Sequence, residues 1–162
     1  MKSVIAIYED HEKAVASVSA LQATGYDVKQ VSLLGKADMV NNHITVSSSD
    51  SAQSTELSIG IVAGTILGTL SGISILAIPG LGFIFGAGAL VGAFAGFDLG
   101  IIGGGLVAIF TAVGMNQLMS SRYEKYLNDG KFLVVVQGED DQLEKAYQIL
   151  HTTGLHIALD RN

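Results

Sequence analysis

The chain is 162 residues long, enough for one domain of ordinary size or for a small domain with membrane segments. Nine Lys and Arg stand against fifteen Asp and Glu, a net charge of −6 with no basic cluster, which is a poor match for nucleic acid or for electrostatic docking on anionic lipid. There is no cysteine, so disulfides, thiolate catalysis and Cys-ligated metals are excluded.

Val4 and Ala6 alternate with Ile5 and Ile7 as a short strand, after an N-terminus too soon acidic for a secretory signal. A helix is predicted from about Asp10, its N-cap, with Ala14, Val15, Val18 and Leu21 on one stripe and Gly25 as its stop. Residues 26–34 follow as a second strand, with Val28, Val31 and Leu33 among polar residues. Residues 36–56 are a polar, Ser-rich linker that holds His43.

Residues 57–97 then carry no charge at all, and after Asp98 the next charged residue is Arg122. An uncharged run of 41 residues is about twice the ~20 needed to cross a hydrocarbon core. The only proline, Pro79, sits with Gly80 and Gly82 at 78–82, a sequence suited to a tight reversal. Two membrane-spanning helices are expected, about 57–77 and 83–102, ending at Gly103-Gly104-Gly105. Residues 106–127 grow steadily more polar and are expected to form an amphipathic helix leading back from membrane level. A third span over 106–119 is the alternative. An even number of crossings keeps both flanks on one side of the bilayer, with every Lys and Arg on the cytoplasmic face of an inner membrane.

Residues 132–136 are a dense β-branched run. A helix from about Glu139 places Leu143, Ala146, Tyr147 and Leu150 on one face, Gly154 ends it, and 155–159 alternate as a strand. A shift of 129 positions superposes this C-terminal unit on the N-terminal one without a gap, Thr24-Gly25 falling on Thr153-Gly154 and Val4–Ile7 on 133–136. Two βαβ units make the ferredoxin-like arrangement, α+β, four strands with two helices on one side. The expected division is therefore 1–35, the first βαβ half; 36–56, linker; 57–105, the transmembrane hairpin; 106–130, the connecting helix; and 131–162, the second half.

Within the apolar middle, glycines recur at Gly60, Gly64, Gly68 and Gly72, then at Gly88, Gly92, Gly96, Gly100 and Gly104. Four-residue spacing puts each set on one helix face, a glycine zipper on which another backbone packs closely. The faces serve either the two helices of one hairpin or assembly between chains. The open face of a ferredoxin-like sheet is a second route to a homo-oligomer. Asp98 is the one intramembrane charge, either interfacial or part of a proton or cation path.

No catalytic constellation, cofactor site or metal site is expected. His151 and His156 flank the Gly154 turn but lack a carboxylate partner. Glu139-Asp140-Asp141 open a helix, where acids suit the dipole. The Gly-rich stretches lack the Lys and the strand-to-helix setting of a phosphate loop.

Three stretches resemble a bacterial general-stress-protein family, the heat- or low-temperature-induced type with a Gly/Ala-rich centre. They are the N-terminal strand and helix ending Thr24-Gly25-Tyr26; Ala77-Ile78-Pro79-Gly80-Leu81-Gly82; and Arg122-Tyr123-Glu124-Lys125-Tyr126-Leu127 with Gly130-Lys131-Phe132-Leu133-Val134-Val135-Val136. The resemblance implies a stress-associated membrane protein and supplies no active-site residues. The expected function is a non-enzymatic, self-associating integral membrane protein that supports or organises the envelope, with lipid and its own copies as partners. The alternatives are a membrane-anchored small-molecule sensor and an oligomeric pore.

Overall fold

A computed structural model describes residues 2–27, 30–36, 44–45, 58–59, 73–78, 82–88, 107, 110–111 and 115–162. Strand β1 (Lys2–Tyr8) leads into helix α1 (His11–Ala23). The Asp10 side chain caps α1 by accepting from the Lys13 N–H at 2.8 Å, which satisfies one of the donors a helix start leaves open. Strand β2 (Val31–Lys36) follows, and later β7 (Phe132–Gly138), helix α3 (Asp140–Thr153) and β8 (Ala158–Arg161) repeat the plan. Both helices give way to left-handed glycines, Gly25 at φ +78° and Gly154 at φ +61°, a turn that a residue with a Cβ makes only at a cost.

The halves interleave. β1 pairs antiparallel with β7 along its whole length, from Lys2 opposite Gly138 to Tyr8 opposite Phe132. β8 joins the free edge of β1, and β2 joins the other side of β7. Helices α1 and α3 lie on one face, where Val4, Ala6, Tyr8, Val134 and Val136 meet Ala14, Val18, Leu21, Leu143 and Leu150.

The insert between the halves departs from expectation. Residues 73–78 and 82–88 are strands, β5 (Ile73–Ile78) and β6 (Gly82–Gly88), paired from Ile78 opposite Gly82 to Ile73 opposite Ala87. β6 also pairs with β2, which extends the sheet to six strands in the order β5-β6-β2-β7-β1-β8. Two residue pairs, β3 (Ile44–Thr45) and β4 (Ser58–Ile59), form a separate ribbon. Among the described residues no helix is long and apolar enough to cross a membrane.

The transmembrane hairpin is thus replaced by a β-hairpin in its central part. This overturns the inner-membrane integral protein expected from the apolar run, and with it the hairpin-anchored sensor and the oligomeric pore. The physical reason is that an uncharged run reports shielding from water, which a sheet provides as well as lipid does. Three residues between paired strands is also an ordinary β-hairpin loop. Ile and Phe at 73, 75, 83 and 85 favour the strand.

Helix α2 (Gln117–Asn128), capped by Asn116, covers the second face of the sheet. There Ile5, Ile7, Leu34, Leu133 and Val135 pack with Phe110, Met115, Tyr123 and Leu127. The Phe110 and Tyr123 rings meet edge-on at 6.0 Å. Arg122 pairs with Asp160, and the Tyr123 hydroxyl donates to the same carboxylate at 3.4 Å, tying α2 to β8. The sheet face expected to be open for pairing between chains is therefore covered along these strands.

Because both faces are buried, Leu127→Ala in α2 is expected to cost about as much as Leu150→Ala in α3, ~2–5 kcal/mol each, measured by urea unfolding. A loss under about 1 kcal/mol at Leu127 would mean that α2 is only loosely docked. Burial also pushes the Tyr8 phenol up to about 12. A raised folded value means that the unfolded chain ionises first, so this contribution is intact below pH 10 and fades as the pH climbs towards 12. Tyr8→Phe is expected to flatten the stability loss over that window in alkaline unfolding curves.

Candidate functional site

The repeat places the C-terminal end of α1 beside the N-terminal half of α3, since β1 and β7 run antiparallel and each strand feeds its helix. Between them lies a cavity of about 630 Å³, open on one side. One wall comes from the turn after α1, with Gly25, Tyr26, Asp27 and Gln30. The other comes from α3, with Gln142, Lys145, Gln148 and Ile149. Positions 142, 145 and 149 share a helix face by their spacing of three and four.

Gly138, the last residue of β7, lies close to three of these lining side chains. A Cβ there would stand 2.8 Å from Gln142 Oε1, 3.2 Å from Gln30 Oε1 and 3.3 Å from the Tyr26 hydroxyl. Three side-chain oxygens therefore crowd the place a Cβ would take, and the glycine permits their close approach. Two of them, the Tyr26 hydroxyl and Gln30 Oε1, are buried and have no hydrogen-bond partner among the described residues. An orphaned buried polar atom costs about 1–3 kcal/mol. Gln142 is an exposed side chain, and its oxygen accepts only a long bond of 3.4 Å from the Glu139 N–H.

Charge around the cavity is uneven. The Glu144 carboxylate is held by Gln148 at 2.9 Å and by Arg161 at 2.6 Å, which together keep it below the usual carboxylate range. Lys145 makes no ion pair among the described residues. Burial, and secondarily the Asp27 carboxylate, raises the Tyr26 phenol above its ordinary value. The hydroxyl therefore stays neutral and available as donor or acceptor.

Comparison with protein-family models, with curated proteins and with solved structures finds no match. The cavity is thus characterised by its own chemistry alone.

Gly60, Gly64, Gly68, Gly72, Gly92, Gly96, Gly100, Gly104, Asp98, Pro79 and Gly80 fall outside the described residues, as does His43. Gly82 opens β6 and Gly88 closes it, so Gly88 does not lie on a helix face. At Gly88 a Cβ would collide with the Val31 carbonyl, so the glycine serves the close approach of β6 to β2. The structure does bring His151 and His156 together, with ring centroids 6.1 Å apart and His151 stacked on Tyr147. Among the described residues no third His, Asp or Glu joins a pair in a metal-holding group.

Sequence inspection passed over Tyr26, Gln30, Gly138 and Gln142, yet the repeat carried a signal. The 129-residue shift maps them onto Leu155, Leu159, Glu9 and Lys13. In that counterpart Glu9 approaches Lys131 at 3.6 Å and Lys13 at 3.9 Å. Replacing the orphaned groups should therefore relieve the fold. Tyr26→Phe and Gln30→Leu are each expected to leave stability unchanged or to raise it by up to about 1–3 kcal/mol, read from urea unfolding in plain buffer. A loss above ~1 kcal/mol in both would show that the two oxygens are bonded in the folded protein.

Proposed function

We propose that this protein is a ligand-binding α+β module that holds a small polar molecule in the cavity between the end of α1 and the start of α3. The observation that carries this is the pair of buried, unpartnered oxygens of Tyr26 and Gln30 beside Gln142 over Gly138. Buried polar groups are ordinarily satisfied, and clustered exceptions call for a partner. The volume of about 630 Å³ lies within the ~300–1,000 Å³ typical of small-molecule sites. The lining is amides, a phenol, an ammonium and carboxylates already engaged by neighbours, a set suited to recognition. The role is therefore binding without catalysis, and the resemblance to stress proteins belongs to this proposal as the ground for linking the ligand to a stress response.

The test is a screen of the full chain by thermal shift against amino acids, sugars, nucleosides and organic acids. Amide chemical-shift mapping of every hit then locates the binding. At least one class is expected to raise the thermal midpoint and to move the amides of Gly25, Tyr26, Gln142 and Lys145. Gly138→Val, whose side chain would displace the oxygens, is expected to abolish that response. Hits that all map outside these residues, or no hits, would overturn the proposal.

A further inference from the structure

The lining sorts into two poles. Beside Gly138, Gln30 Oε1, Gln142 Oε1 and the Tyr26 hydroxyl present oxygen lone pairs, with the Asp27 carboxylate on the same wall. The Gln amides and the phenol carry donors of their own, yet Gln30 Oε1 and the Tyr26 hydroxyl have no hydrogen-bond partner among the described residues and are open to a donor from a ligand. On the α3 wall, by contrast, the Lys145 ammonium has no ion pair among the described residues, while the neighbouring Glu144 is already occupied by Arg161 and Gln148. The cavity thus combines two oxygens open to a donor with an unmatched cation on its wall.

The counterpart in the repeat shows that this polarity is not imposed by the fold. The shift of 129 sets Tyr26 against Leu155, Gln30 against Leu159, Gly138 against Glu9 and Lys145 against Ala16. Where this half has a glycine with three side-chain oxygens close against it, the other half has a glutamate with two lysines near it. The same backbone plan is built with neither the oxygen cluster nor the unmatched cation.

We infer that the ligand of this cavity is a small zwitterion, an amino acid or a close analogue, whose ammonium sits among the oxygens over Gly138 and whose carboxylate meets Lys145. The inference rests on the cavity being a binding site, as proposed above. An ammonium supplies donors for the Tyr26 hydroxyl and Gln30 Oε1, and a bond to a charged group is worth about twice a neutral one. Gln142 is the member that gives way, because it is exposed, flexible and weakly held. Its displacement opens the two buried oxygens to the incoming group.

The test uses the full chain titrated with the proteinogenic amino acids, and, for each one that binds, with its decarboxylated amine and its N-acetyl derivative. At least one amino acid is expected to move the amides of Gly25, Tyr26, Gln142 and Lys145. Both derivatives are expected to bind about tenfold or more weakly, since each loses one charged contact. Lys145→Met, at an exposed position that leaves the core intact, is expected to erase the preference for the amino acid over its amine. Gln30→Leu is expected to weaken both. An N-acetyl derivative binding as tightly as its parent would overturn the zwitterion assignment. So would sugars or nucleosides occupying these residues while no amino acid does, although the cavity would then stand as a binding site. If no compound of any class moves these amides, both the assignment and the site fall together.

Discussion

The two central strands have no polar face. In β1, Val4, Ala6 and Tyr8 point one way and Ile5 and Ile7 the other, and all five are fully buried. In β7, Phe132, Val134 and Val136 oppose Leu133 and Val135 in the same manner. A sheet with helices on one side only would leave Ile5, Ile7, Leu133 and Val135 in water, an unfavourable exposure of about 1.5–3 kcal/mol for each such side chain. A second layer is therefore obligatory, and α2 supplies it. The chain between the two halves is thus part of the core, because the residues that cover the second face come from it.

The same sheet also takes in the described strands of the apolar insert, 73–78 and 82–88. β6 binds the edge of β2 that the four-stranded unit leaves open, and β5 binds β6 in turn. An open edge is a row of unsatisfied donors and acceptors, and added strands satisfy it. The absence of charge in 57–97 limits how much of this segment meets water, while helix against strand is decided by period. Ile73 and Ile75, and Phe83 and Phe85, repeat at two, whereas the glycine series at four suggested helices. The two periods compete in the same segment. At Gly88 the strand prevails, since its φ of +109° and its closeness to Val31 belong to the sheet.

In the flanks, local signals and tertiary demands agree. Asp10 and Glu139 begin helices, Gly25 and Gly154 end them, and the 129-residue repeat aligns the two units. The second strand of each unit begins later than its pattern suggested, at Val31 instead of 26 and at Ala158 instead of 155. Before β2 the Gln30 N–H bonds the Asp27 carbonyl at 3.0 Å. After Gly154 the chain leaves Leu155 and Ile157 partly in water before β8 starts. Alternation alone does not locate the first ladder bond. The second helical layer was legible in principle, because runs such as Val4–Ile7 and 132–136 are continuous where a half-exposed strand alternates.

The cavity was not legible, because its residues are common types brought together across more than a hundred positions, Tyr26 and Gln30 from one half, Gly138 and Gln142 from the other. None has a local pattern that announces a site. What distinguishes them is their mismatch with the equivalent residues of the repeat. Buried polar atoms are ordinarily satisfied in a folded chain. Here one copy retains two buried oxygens without a hydrogen-bond partner among the described residues, at a cost of about 1–3 kcal/mol each against a total stability of only ~5–15 kcal/mol. Leucines at the repeat-equivalent positions show that the plan does not require those oxygens. Such a cost at two side chains that line one cavity, where the repeat carries leucines, is what a binding site looks like before its ligand arrives.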